Sequence, residues 1–247
     1  MSYDGTDYAG FQVQTNARTV QGEIERVVSE ICAEPIRITG AGRTDAGVHA
    51  TGQVIDFRTA SALDGETIER GVNALLSKDI AISDVEAASE DFHSRFSATG
   101  RTYEYRIRRT RMRDPLEGRR ELWVSEGLDV AAMRRASELL IGRHDFAAFA
   151  AGVSGERTVR RASWDESPEV LRFEIEADAF LRGMVRGIVG TLLWVGRGKI
   201  TAARFGEILG SRDRSLAGPS AAAQGLCLTR VTYGERTKRD GDNEKDE

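Results

Sequence analysis

The chain has 247 residues, 40% of them hydrophobic, and a formal net charge of −4. That is enough apolar material for one large core or two smaller ones, and two packed domains is the expectation. No run approaches the ~20 apolar residues that a membrane span needs, and no basic stretch followed by an apolar one opens the chain, so a cytoplasmic protein without membrane contact is expected. Cys32 and Cys227 stand far apart, and His49, His93 and His144 share no metal-ligand spacing with them. Reduced cysteines, no metal and no cofactor follow as expectations.

A negative total argues against a nucleic-acid partner, because phosphate binding draws on Lys and Arg. The average hides a local excess: nine Arg stand between His93 and Arg120 against Glu104, Asp114 and Glu117. Residues 242–247 pull the other way with four acids and one Lys. Arg outnumbers Lys 31 to 4, and Arg suits forked phosphate contacts and stacking on bases. The cluster reads either as an RNA-facing surface or as a solvated charged face.

In chain order, Thr19 caps a predicted helix whose buried face is Val20, Ile24, Val27, Val28 and Ile31. Residues 36–38 read as a short strand, residues 40–52 as a glycine-rich loop, and residues 53–57 as the next strand, so Asp45 is expected between β elements. A second helix carries Ile68, Val72, Leu75 and Leu76 after a cap at Asp64, and residues 80–82 form another strand. Residues 102–108 alternate, with Tyr103, Tyr105 and Ile107 on one face and Thr102, Glu104, Arg106 and Arg108 on the other. A helix over 129–141, closed by Gly142, is followed by a strand ending at Ala177. Residues 180–195 form an apolar helix whose Gly183, Gly187 and Gly190 allow close backbone packing. A helix on Phe205, Ile208 and Leu209, ended by Gly210, and a strand over 226–233 complete the series; the polar residues after Gly234 are expected to be disordered.

Chemistry concentrates in Gly42-Arg43-Thr44-Asp45-Ala46-Gly47-Val48-His49-Ala50, where glycines let the backbone turn and leave a carboxylate at a cleft. Taken alone, Asp45 reads more readily as a turn residue bonded to its own backbone than as a nucleophile. The opening Tyr3-Asp4-Gly5-Thr6-Asp7-Tyr8-Ala9-Gly10-Phe11-Gln12 belongs with that loop. So do Phe92-His93-Ser94-Arg95-Phe96-Ser97-Ala98, Arg101-Thr102-Tyr103-Glu104-Tyr105, Gly142-Arg143-His144-Asp145-Phe146 and Phe180-Leu181-Arg182-Gly183-Met184-Val185-Arg186. Together, and in this order, these segments resemble the TruA family of tRNA pseudouridine synthases over nearly the whole chain.

The resemblance implies an α+β fold of two related domains, each an antiparallel sheet with helices, over residues 1–90 and 91–234, with the active-site cleft between them and a charged tail at 235–247. It implies isomerisation of uridine to pseudouridine at positions 38, 39 and 40 of the tRNA anticodon arm by a homodimer. Asp45 would be the catalytic nucleophile, Arg43 the side chain filling the space of the flipped base, Tyr103 the ring against the uridine, and Arg186 the partner of Asp45. Tyr103 reads otherwise as a core strand tyrosine and Arg186 as a surface helix charge; His49 and His144 read as hydrogen-bonded structural residues. The atom that Asp45 attacks and the base that takes the C5 proton stay open. Three departures stand out, one of them the acidic tail and low Lys content, unusual for an RNA binder. The family usually carries more residues before Tyr3, which suggests a start set too late, and Ala222 stands where the family has proline in Ala-Pro-Ala-Glu-Gly-Leu, which puts that loop's rigidity in question. The rival readings are a non-catalytic RNA-binding protein of two RNA-recognition-like units and a metal-dependent Asp hydrolase.

Overall fold

A computed structural model describes residues 1–234; the predicted disordered tail lies outside the described residues. In chain order the elements are β1 (Ser2–Tyr3), α1 (Val20–Cys32), β2 (Thr39–Gly40), β3 (His49–Ala50), β4 (Ile55–Asp56), α2 (Gly65–Leu75) and β5 (Ile80–Ala81). There follow β6 (Ala98–Arg108), β7 (Leu122–Trp123), α3 (Val130–Glu138), β8 (Gly142–Asp145), β9 (Glu156–Glu166), β10 (Val170–Ala177), α4 (Met184–Gly196), α5 (Ala202–Ser211) and β11 (Leu226–Tyr233). The fold is α+β, as expected.

The main sheet runs β5-β1-β3-β11-β6-β10-β9-β8, with β7 beside β6. Strands from the first 81 residues pair antiparallel with one another, and so do the long strands from β6 onward. The two groups join through a parallel pairing of β3 with β11, Cys227 opposite His49 and Leu228 opposite Ala50. In β6 the expected alternation holds: Tyr103, Tyr105 and Ile107 are buried, with Tyr105 opposite both Phe173 and Leu226.

The predicted caps act as such. Thr19 Oγ1 accepts from Gly22 N at 3.3 Å, and Asp64 Oδ1 accepts from Thr67 N at 2.7 Å. Helix α4 is buried nearly all round, the mark of a core helix. Its glycines pack as expected: a Cβ on Gly187 would meet the Phe149 carbonyl oxygen at 2.2 Å, and one on Gly190 the Pro219 carbonyl oxygen at 1.8 Å.

Several boundaries differ from expectation: α3 ends at Glu138 and not at Gly142, which opens β8, and β4 covers only Ile55–Asp56. Residues 36–38 form no strand, because α1 supplies the partners: Ile36 N donates to Ser29 Oγ and Ile38 N to Glu25 Oε1. The apolar helix starts at Met184 and not at 180, since Gly183 sits in the left-handed region (φ 69°) and the chain before it loops over the sheet. Helix α5 continues through Gly210 to Ser211, and Arg212 takes the left-handed cap instead.

Candidate active site

The catalytic-loop candidate joins β2 to β3 and is held from three directions. From below, Phe11 N donates to the Thr44 carbonyl at 3.1 Å, and Gly10 (φ 103°) passes so close that a Cβ there would lie 2.9 Å from the same oxygen. From the strand that follows, the fully buried Gln53 grips Gly42 at both ends, accepting from its N–H at 3.3 Å and donating to its carbonyl at 2.7 Å. From β6, the Arg101 guanidinium donates to the carbonyls of Ala41, Arg95, Ala98 and Asp178. Tyr3 and Thr44 hydroxyls bond at 2.8 Å underneath. With its backbone spoken for, the loop presents Asp45 half-buried into a cleft of about 940 Å³.

The cleft lies over the first half of β6, near the middle of the sheet, between this loop and the start of α4. All four residues singled out from the sequence, Arg43, Asp45, Tyr103 and Arg186, line it. Arg186 NH1 is 3.2 Å from Asp45 Oδ2, and its Nε donates to the Ala221 carbonyl at 2.8 Å. Ala221 N in turn donates to the Arg186 carbonyl, so the guanidinium is fixed before it meets the acid. Arg186 therefore does not behave as a surface helix charge. Tyr103 forms the floor, 7% exposed, with Phe180 edge-on at 5.1 Å. Burial above all, then the nearby Tyr3 and Asp45, push its hydroxyl well above the ordinary range, so it stays neutral. Arg43 is exposed, and among the described residues no hydrogen bond or ion pair holds its guanidinium.

Six arginines line the cleft, Arg43, Arg95, Arg101, Arg157, Arg182 and Arg186, and Asp45 is the one acid among its lining residues. The negative total charge of the chain is thus reversed where it matters for an anionic ligand. The sequence pattern gave no cleft role to Arg157, Arg182 or Phe180 and no clamp role to Gln53, although Phe180 and Arg182 lie in a segment that carries the family resemblance. The Arg run from 95 to 120 does not form one surface. Arg101 is buried under the loop, while Glu104, Glu121 and Glu166 hold Arg106, Arg108 and Arg109; Arg95 and Arg101 are the members that reach the cleft. His49 is structural: its Nδ1 accepts from Gly5 N, which leaves Nε2 to donate to the carbonyls of Arg119 and Gln224. His144 Nε2 lies 3.1 Å from the Ile141 carbonyl. Among the described residues no three His, Cys, Asp or Glu side chains gather as a metal site.

A basic cleft with one positioned carboxylate above an aromatic floor has the make-up of an enzyme that works on nucleic acid. The chain belongs to the tRNA pseudouridine synthase family, whose model matches residues 1–97 and 136–234. It is 50% identical to tRNA pseudouridine synthase A of Chloroflexus aurantiacus over 241 residues, covering 94% of this chain and 87% of that one. The enzyme of the same name from Acetivibrio thermocellus is 42% identical over 237 residues (94% and 97% covered), and that from Geobacillus kaustophilus 41% over 238 (94% and 92%). The expected family is thereby met, and with it an isomerase that converts uridine to pseudouridine in tRNA.

Proposed function

We propose that the chain isomerises uridines 38, 39 and 40 in the anticodon arm of tRNA, with Asp45 as the catalytic carboxylate. A uridine in a stem leaves its stack at a cost of a few kcal/mol. The exposed, unpaired guanidinium of Arg43 is long and planar enough to fill the gap, while the flipped base lies against Tyr103 and the basic walls take the phosphates. Asp45 then acts on the glycosidic bond. The C1′–N1 bond breaks, the uracil turns within the pocket, C1′ joins C5, and the C5 hydrogen is lost as N1 gains one. The product is an isomer of the substrate, so the balance calls for no redox partner. The observation that carries this reading is the Asp45–Arg186 pair at 3.2 Å, closed across 141 residues of sequence inside a cleft whose other charged lining residues are all cations. A turn-capping aspartate would need no such partner.

The working unit in this proposal is a homodimer in the cytoplasm, each copy built from two related units over residues 1–90 and 91–234. The resemblance supports the dimer, and the single parallel pairing that joins the two strand groups supports the division. The non-catalytic RNA-binding alternative is not favoured, since nothing in it would require Asp45. Asp45→Asn is expected to abolish pseudouridine formation on unmodified tRNA while leaving tRNA binding within about twofold; an active Asp45→Asn enzyme would sink the assignment. Mapping pseudouridine in tRNA treated with the wild-type enzyme tests the positions, and activity that survives chelator removes the metal-dependent hydrolase.

A further inference from the structure

The turn between Phe92 and Ala98 is built to hold one apolar ring in solvent. Phe96 is 76% exposed, an unfavourable place for a phenyl ring that the chain could have folded inward. Everything around it is tied down. Ser97 N donates to the His93 carbonyl at 2.9 Å, Ser97 Oγ accepts from His93 N at 3.1 Å, and His93 Nδ1 accepts from the amides of Arg95 and Phe96 at 3.2 and 3.3 Å. The turn is also anchored to the catalytic side of the molecule. Ser94, fully buried, donates from N to Asp56 and from Oγ to the Thr39 carbonyl, and Tyr233 donates to the Ser94 carbonyl. Arg101, which clamps the Asp45 loop, holds the Arg95 carbonyl at 2.6 Å.

On this fixed base the His93 ring lies 4.3 Å from Phe96, and the Arg95 guanidinium sits 5.5 Å from its centroid. Arg95 lines the cleft, so Phe96 stands beside its rim. A rigid, exposed ring flanked by a second ring and a cation is the arrangement on which a nucleobase stacks, with the cation available to the phosphate next to it. We propose that Phe96, supported by His93 and Arg95, is a stacking platform for an unpaired base of the tRNA near the target uridine, and so a positioning residue for the substrate. The commitment to a nucleobase comes from the cleft it adjoins, whose charge matches a phosphate backbone and not an apolar protein face. The proposal rests on the RNA substrate given above.

The test compares Phe96→Ala and Phe96→Trp with the wild type in tRNA binding and in the KM and kcat of pseudouridine formation. Loss of one stacked base corresponds to a roughly 5- to 150-fold weaker Kd. Phe96→Ala should show that loss in Kd and KM with kcat largely kept and the melting temperature unchanged, and Phe96→Trp should restore binding. A Phe96→Ala enzyme within twofold of the wild type in Kd and KM would overturn the platform. So would equal losses in the Ala and Trp variants, or a change in sedimentation without a change in Kd, which would point to a second copy of the chain as the occupant. Product mapping with the wild type on the same tRNA separates the two readings: absence of pseudouridine strikes the catalytic assignment, while the Kd comparison still decides the platform.

Discussion

The two ends of the sheet are built differently. Strands β1, β3 and β5 have two residues each, and the segments around them are positioned by side chains bonded to backbone: Gln53 on Gly42, Glu25 on Ile38, Asn73 on Ile82, Arg101 on Ala41. Strands β6, β9 and β10 have 11, 11 and 8 residues, pair along most of their length with one irregularity at Glu176/Ala177, and are covered by α3 to α5, of which α4 is buried nearly all round. Asp45 belongs to the first construction, Tyr103 and Arg186 to the second. The lesson is a division of labour: the long ladder supplies stability and a fixed counter-charge, while the short strands let a loop be aimed by individual hydrogen bonds. Substitutions in the two regions should then fail in different ways.

The largest effect on folding is expected at Gly190. An added methyl would sit 1.8 Å from the Pro219 carbonyl, a contact between two pieces of backbone, neither of which is a flexible end. Gly190→Ala should cost roughly 3 kcal/mol, lowering the melting temperature by about 6–12 °C. Gln53→Ala tests the other side. It strands buried polar atoms at Gly42, worth roughly 1–3 kcal/mol of stability, but it also frees the loop that aims Asp45. Misplacement near 1 Å can lower a rate by ~100-fold, so activity per folded molecule should fall by at least tenfold. If Gln53→Ala melts early yet turns over normally, the contrast between the two constructions fails. The smallest expected change is a gain. Ala222 has φ −58°, within the range proline imposes, and among the described residues its N–H makes no hydrogen bond. Ala222→Pro should stabilise the chain by ~0.4–1 kcal/mol in thermal or denaturant unfolding. The loop thus keeps the shape a proline would set, held instead by the Tyr105 hydroxyl on the Ala222 carbonyl at 2.8 Å.

Local chemistry was legible in the sequence wherever it decides structure by itself. Helices α1 and α2 begin at the caps read from Thr19 and Asp64, and the β6 pattern gives the buried face. Tertiary partners were not legible. Residues 36–38 look like a strand, but their amides are taken by Glu25 and Ser29 on a helix. Strand β9 went unread because exposed arginines and acids interrupt its apolar positions, leaving Val159, Ala162 and Trp164 as the buried ones. In the site, the four residues carried by the family pattern do meet in one cleft. Phe180, Arg157 and Arg182 escaped because only the loop before α4 and the edge of β9 bring them there. The run of arginines misled in the opposite sense, since cross-strand and neighbouring acids neutralise much of it.

The seam between β3 and β11 also sets an order of events in the life of the molecule. Residues 49–50 come early from the ribosome, as does their partner β1, but β11, which pairs with them on the other side, is the last element of the described chain. Arg186, which must meet Asp45, emerges 141 residues after it, and the Ala221 carbonyl that fixes Arg186 later still. Local helices form as they appear, but the contacts that assemble the cleft have long loops to close. A nascent or truncated chain therefore carries the Asp45 carboxylate without its counter-charge, and the cleft closes only once the segment through β11 has been made.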